Sequence, residues 1–175
     1  MIKYAITTPK YFHLELLKDI SIKANMVLFR DKTTTNYPEK ALEFLNEAKK
    51  YNFDKILLHR DIDLAHKLNC NDIHLTSTQI DEISKAKRLD MFVIVSTHSK
   101  EEALKAQENG ANMITYSPIF DTPNKGKPVG LESLIELRNS ISIPIIALGG
   151  IVTDTHIKLL EENKIFGFAS IRYFI

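Results

Sequence analysis

Apolar residues along the chain follow two patterns that alternate from one end to the other. Short, almost uniformly apolar runs lie at 3–7, 26–29, 55–58, 72–75, 92–95, 112–116, 144–148 and 166–169. Runs of that length, rich in Ile, Val, Leu, Phe and Tyr, predict strands buried on both faces. The segments between them, 12–23, 38–51, 62–68, 78–89, 100–109, 131–140 and 154–162, carry apolar residues at three- and four-residue spacing with charges elsewhere, the pattern of amphipathic helices. Several helix ends are punctuated: Pro38 opens one, Ser99 with Glu102 gives a capping box, and Gly110 closes that same helix. Strict alternation of strand and helix predicts right-handed crossovers and a parallel sheet covered on both sides.

Eight such units predict a closed, small (β/α)8 TIM barrel as one domain over residues 1–175. The 175 residues leave about 22 per unit, well under the size usual for this fold. About six residues follow the eighth strand, so the last helix is expected to be absent or truncated. Apolar barrel surface is then expected to be left uncovered, and a homodimer or a shortened chain would account for it.

Charge narrows the range of partners. With 23 Lys+Arg against 22 Asp+Glu, the net charge of +1 offers no broad basic field for a nucleic acid. No apolar run approaches a membrane span and the first residues lack a signal-peptide pattern, so a cytoplasmic protein with no membrane or nucleic-acid partner is expected. The single cysteine, Cys70, reads as packing, and no His/Asp/Glu set has metal-ligand spacing.

In a parallel barrel, chemistry collects in the loops that follow the strands. Five basic side chains at the strand ends, Arg30, Lys32, Arg60, Lys125 and Arg172, on an otherwise neutral protein point to a small phosphorylated substrate. Gly149-Gly150, between an apolar strand and a helix, lets backbone N–H groups approach an oxyanion. The loop 122–127, with Thr122, Asn124 and Lys125 between two prolines, reads as a lid over phosphate. His59, His74 and His98 stand at strand ends, whereas His13, His66 and His156 fall on helical segments.

The series YAIT, LFRDK, DLAHKLNCNDIHL, VSTHSKEEALKAQENGANMITYSPIFDTPNKGKPVG and IPIIALGGI, in this order and spacing, resembles the thiamine phosphate synthase and TenI-like family. The block 95–130 is its most specific part. The resemblance implies a (β/α)8 barrel of thiamine biosynthesis that binds a thiazole phosphate. By position, it implies that Arg30 and Lys32 bind a pyrimidine pyrophosphate, that Ser96 and Lys125 meet its pyrophosphate, and that Thr122 and Asn124 are lid positions. Gly149, Gly150 and the Ile171 backbone would cradle the thiazole phosphate.

Departures from the family pattern are equally specific. His59-Arg60 and Thr76-Ser77-Thr78-Gln79 stand where the synthases carry their two magnesium carboxylates, and Arg172 replaces a serine. No cofactor is therefore assigned, and magnesium is implied only for a synthase. Loss of the carboxylates makes a metal-independent thiazole tautomerase the first expectation, with His59 or His98 as proton carrier and Lys125 as a further catalytic residue. Pro118 departs from that branch, which carries histidine there. A diverged synthase joining hydroxymethylpyrimidine pyrophosphate to thiazole phosphate, and a non-catalytic phosphate-ligand binder or regulator, are the alternatives.

Overall fold

A computed structural model describes every residue of the chain except Asn124. Eight parallel strands close into a barrel in chain order. They are β1 (Ile2–Ile6), β2 (Met26–Phe29), β3 (Lys55–His59), β4 (Asp72–Leu75), β5 (Phe92–Thr97), β6 (Met113–Tyr116), β7 (Ile145–Leu148) and β8 (Gly167–Ser170). Closure is made by β1 pairing with β8, Tyr4 against Ala169. The helices are α1 (Leu16–Lys23), α2 (Tyr37–Ala48), α3 (Ile62–Lys67), α4 (Ile83–Arg88), α5 (Lys100–Glu108), α6 (Gly130–Arg138) and α7 (Asp154–Glu162). Among the described residues no helix is long and apolar enough to cross a membrane.

The period of two along each strand sorts side chains into two cores. Tyr4, Ile6, Met26, Leu28, Leu57, Ile94, Ile146 and Ala169 point inward and fill the barrel. Their neighbours Ala5, Val27, Leu58, Val93, Ile114 and Phe168 point outward and pack beneath the helices. Both faces are buried, which is why the strands read as continuous apolar runs rather than as alternating ones.

Two elements depart from the pattern read in the sequence. The segment 78–89 is not one helix: a 3-10 stretch, Ser77–Glu82, precedes α4, and Gln79 is non-helical (φ −111°, ψ 17°). Gln79 is drawn out of the helix because its side chain closes a capping box with Thr76. The first helix begins at Leu16 rather than at 12, after a turn in which the N–H groups of Tyr11 and Phe12 both donate to the Thr8 carbonyl. His13 consequently lies ahead of α1.

Beyond β8 the chain makes a single 3-10 turn, Arg172–Phe174. The expected bare barrel surface is covered from within, since Phe174 stacks on Phe168 at 5.6 Å and both are buried. This turn thus packs an aromatic side chain against the outer face of β8.

Candidate active site

The inward parity of the strands continues past their ends and delivers the site. Arg30 follows Met26 and Leu28, His59 follows Leu57, Ser96 and His98 follow Ile94, and Ile171 follows Ala169. They open onto a cavity of about 310 Å³ at the mouth, which Lys32, Thr122, Lys125 and Gly149 also line. Its floor is partly apolar, from Ile6, Leu28 and Leu148.

Positive charge is concentrated here without compensation. Among the described residues no ion pair forms at Arg30, Lys32, Arg60, Lys125 or Arg172; the pairs that exist lie elsewhere on the surface. Two carboxylates adjacent in sequence to these cations are committed to backbone. Asp31 accepts from the N–H groups of Thr33 and Thr34 at 2.8 and 3.0 Å, and Asp61 caps α3 through the Leu64 N–H at 2.9 Å. Burial lowers the pKa of the Lys32 ammonium, and repulsion from Arg30, Arg60 and Lys125 lowers it further. Burial likewise lowers that of Arg30. A group of cations that disfavour one another in the free protein is a site complementary to an anion.

Two of the cavity's histidines, His59 and His74, are held neutral. His74 is 2% exposed, and burial, followed by the Arg30 charge, pushes its pKa down to about 3. His59 is driven to about 2 by burial and then by His74, Arg30, Lys32 and Arg60. The two rings meet edge to face with centroids 6.2 Å apart. His98 contacts Ser117 through Nδ1, 3.0 Å from the carbonyl oxygen. The same nitrogen is 3.2 Å from the Ser117 hydroxyl, so this one residue holds the ring from both its backbone and its side chain.

Across the mouth, Gly149 (φ 99°) and Gly150 (φ 71°) occupy left-handed backbone. A Cβ on Gly149 would fall 2.7 Å from Pro118 Cα, and one on Gly150 would fall 2.6 Å from the Asp121 carbonyl oxygen. Glycine is therefore required both by backbone angle and by the approach of the 118–121 segment, which is held against β7 by Ile119 N–H donating to Leu148 O at 2.9 Å and Phe120 N–H to Gly149 O at 3.0 Å. Beside this pair a smaller cavity of about 100 Å³ is bounded by Gly150, Ser170 and Arg172, and it shares Thr122, Leu148, Gly149 and Ile171 with the main one. Loops after the seventh and eighth strands are where such barrels hold phosphate.

Nearly all the residues expected from the sequence are thus brought together. Arg60 stands apart from the main cavity, exposed on its outer rim beside Gln79, and reaches the site through its field at Lys32 and His59. Asn124 lies outside the described residues. Thr122 turns its hydroxyl to the Phe120 carbonyl at 2.9 Å, so in this conformation it braces the loop. The sequence assigns no site role to Tyr4, Thr76, Ser77 or Ser117, although the last three stand in strand-end loops. The last three line the cavity or its rim, and inward parity with Met113 and Thr115 was the available signal for Ser117.

The donor set does not fit a magnesium ion. The two positions at which the family resemblance places carboxylates are adjacent, but they offer a guanidinium and an amide already bonded to Arg60 O and to Thr76. Among the described residues no three His, Cys, Asp or Glu side chains are grouped to hold a metal. Magnesium takes hard anionic oxygens, which this corner lacks.

Fold and site together define a (β/α)8 barrel with a cation-lined cavity and a smaller adjoining one at its C-terminal mouth. Residues 3–174 match the family model for thiamine monophosphate synthase. The chain is 32% identical over 172 residues to the thiamine-phosphate synthase of Clostridium acetobutylicum, covering 91% of this chain and 81% of that one. It is 35% identical over 182 residues to an Aquifex aeolicus protein provisionally named thiamine-phosphate synthase 2, covering 98% and 96%. The solved thiamine phosphate pyrophosphorylase of Pyrococcus furiosus superposes with a TM-score of 0.81 at 24% identity, over 97% of this chain and 85% of that one, a likeness of fold. The chain belongs to the thiamine monophosphate synthase family, an enzyme family of thiamine biosynthesis.

Proposed function

We propose that this protein is a thiamine-phosphate synthase, joining hydroxymethylpyrimidine pyrophosphate to thiazole phosphate with release of pyrophosphate. The observation that carries the reading is the pair of adjoining cavities at one mouth, which we read as two anion subsites. Arg30, Lys32 and Lys125 gather on the side of β2 and the 122–127 loop, and the Gly149-Gly150 turn with Ile171 and Arg172 lies at the ends of β7 and β8. A tautomerase acting on one thiazole monophosphate needs a single phosphate site. A synthase needs one for the pyrophosphate and one for the thiazole phosphate.

The chemistry suits the electrostatics. The bond from the pyrimidine methylene carbon to the pyrophosphate oxygen breaks with its electron pair going to pyrophosphate, and the thiazole nitrogen's lone pair then forms the new C–N bond to the cationic methylene. Charge builds on the leaving group, where the unpaired cations are preorganised to receive it. Neither step moves a proton, so histidines held neutral in the cavity are no obstacle. Holding both phosphates fixes the nitrogen against the methylene carbon. The residues present do not supply magnesium ligands, and no step here is assigned to a metal.

The tautomerase reading keeps one observation in its favour: His98 lines the cavity, and its Nε2 has no hydrogen-bond partner among the described residues. The test is direct. Purified protein is mixed with both substrates and thiamine phosphate is followed by mass spectrometry. Product above a no-enzyme control, reduced about 100-fold or more in Lys125→Ala, is expected for a residue aimed at the leaving group. Absence of product together with isomerisation of thiazole carboxylate phosphate would transfer the assignment to the tautomerase.

A further inference from the structure

Beneath the cavity lies a hydrogen-bond chain that the reaction outlined above does not use. Tyr4 Oη on β1 is 2.8 Å from His74 Nδ1 on β4, and His74 Nε2 is 2.8 Å from Ser96 Oγ on β5. The Tyr4 and His74 rings stack at 5.8 Å, and both residues are buried in the barrel interior, while Ser96 faces the cavity. We propose that Tyr4 and His74 are positioning residues that fix the direction of this chain, so that the Ser96 hydroxyl is left with its hydrogen pointing into the cavity as a donor to a pyrophosphate oxygen. This inference rests on the anion-binding reading of the cavity.

The direction follows from counting hydrogens. The Tyr4 phenol is enclosed by Ile6, Met26 and Ala169, and His74 is its one side-chain partner among the described residues. Burial raises the phenol's pKa well above its ordinary value, so the hydrogen stays on oxygen and must be donated to Nδ1. A neutral imidazole has one donor and one acceptor nitrogen. Nδ1 being the acceptor, Nε2 carries the hydrogen and donates to Ser96 Oγ. That oxygen accepts from within the barrel, and its own hydrogen is free for a ligand above it. The opposite polarity would leave the phenol hydrogen without an acceptor in an apolar core and would turn the Ser96 lone pairs toward an anion, which repels them.

The experiment combines ¹⁵N NMR of the histidine rings with calorimetric titration of inorganic pyrophosphate, both on the whole chain. The expected wild-type spectrum shows His74 protonated at Nε2 and bare at Nδ1. Tyr4→Phe removes the hydrogen that imposes this tautomer, so a mixture of tautomers and pyrophosphate binding weaker by about three- to tenfold are expected, comparable to Ser96→Ala. Because Tyr4 acts through Ser96, the double variant should bind no worse than Ser96→Ala alone, the non-additivity expected of a shared chain. Protonation at Nδ1 in the wild type overturns the proposal, and that reading needs no variant to fold. So does Tyr4→Phe with affinity within twofold of wild type, additive losses in the double variant, or a wild-type protein that binds no pyrophosphate. Failure of the synthase assignment has a different signature, namely no thiamine phosphate while pyrophosphate still binds and the Tyr4 effect persists.

Discussion

The side-chain amide of Gln79 donates to the backbone carbonyl of Arg60 across 3.0 Å, tying the end of β3 to the turn after β4. These are the two places where the family resemblance puts metal-binding carboxylates, and here they are joined by a neutral hydrogen bond with a guanidinium beside it. A positive side chain where a divalent cation would sit makes metal recruitment unfavourable and supplies part of the same charge. Synthesis of thiamine phosphate is therefore expected to proceed in EDTA at a rate within about threefold of that in magnesium, the small difference reflecting metal bound to the free substrate. Arg60→Asn is the informative variant, because Arg60 has a φ of 73° and asparagine accepts left-handed backbone. Because Arg60 acts through its field from the rim, the variant should weaken pyrophosphate binding about two- to threefold in calorimetry while leaving the melting temperature in place. Strict magnesium dependence of the wild type would refute the prediction.

Gly149 and Gly126 make a matched pair of tests. A methyl group on Gly149 meets Pro118 at 2.7 Å in a left-handed backbone, whereas one on Gly126 meets nothing within 4 Å. Gly149→Ala is expected to destabilise the fold by about 2 kcal/mol or more and to displace the 118–121 segment from β7, with loss of thiazole phosphate binding. Gly126→Ala should stay within about 0.5 kcal/mol of wild type. Urea unfolding of the two variants side by side separates them.

How far the sequence reaches is clear from particular residues. All eight strands are legible because each is short, largely apolar on both faces and ends at or next to a polar residue or glycine, and the strand-end rule then finds Arg30, His59, Ser96 and Gly149. Tyr4 was not found, because its hydroxyl matters only through His74, 70 residues away, and no local pattern reveals which inward side chains meet across a barrel. The start of the fourth helix was misplaced because Gln79 prefers its capping-box bonds to helical backbone, a choice that composition does not disclose. The placement of Arg60 on the rim rather than in the cavity depends on its positive φ, which sequence gives no reason to expect of an arginine.

The neutral histidines make stability fall toward acid. His59 and His74 have folded pKa values pushed down to about 2 and about 3, below the ordinary value of 6.5. The unfolded chain therefore binds more protons than the folded one throughout the range between, and the stability they contribute is fully present above about pH 6.5 and is lost as pH falls. Each histidine that stays neutral should take away about 1.4 kcal/mol per pH unit below about pH 6. Unfolding midpoints in urea from pH 7.5 to 4.5 measure the slope, and His59→Leu should reduce it by about one proton's worth. A flat profile would mean that the rings are solvated in the folded state.

Lys32 should trade stability for binding. Its ammonium is disfavoured in the free protein by burial and by three neighbouring cations, and no carboxylate pairs with it among the described residues. Removing that charge relieves repulsion, so Lys32→Met is expected to melt at the same temperature or a few degrees higher, a gain on the order of 0.5 kcal/mol. The same change deprives a bound pyrophosphate of one charge-assisted contact, and its Kd should rise about tenfold or more. Added salt should narrow the difference in melting temperature, because the repulsion at this partly exposed site is screened over about 10 Å at 0.1 M. The two effects have opposite signs only if the cations are held together for a ligand. A lysine that merely decorated the surface would leave both affinity and melting temperature unmoved, and one that stabilised the barrel through packing of its stem would lower the melting temperature when replaced.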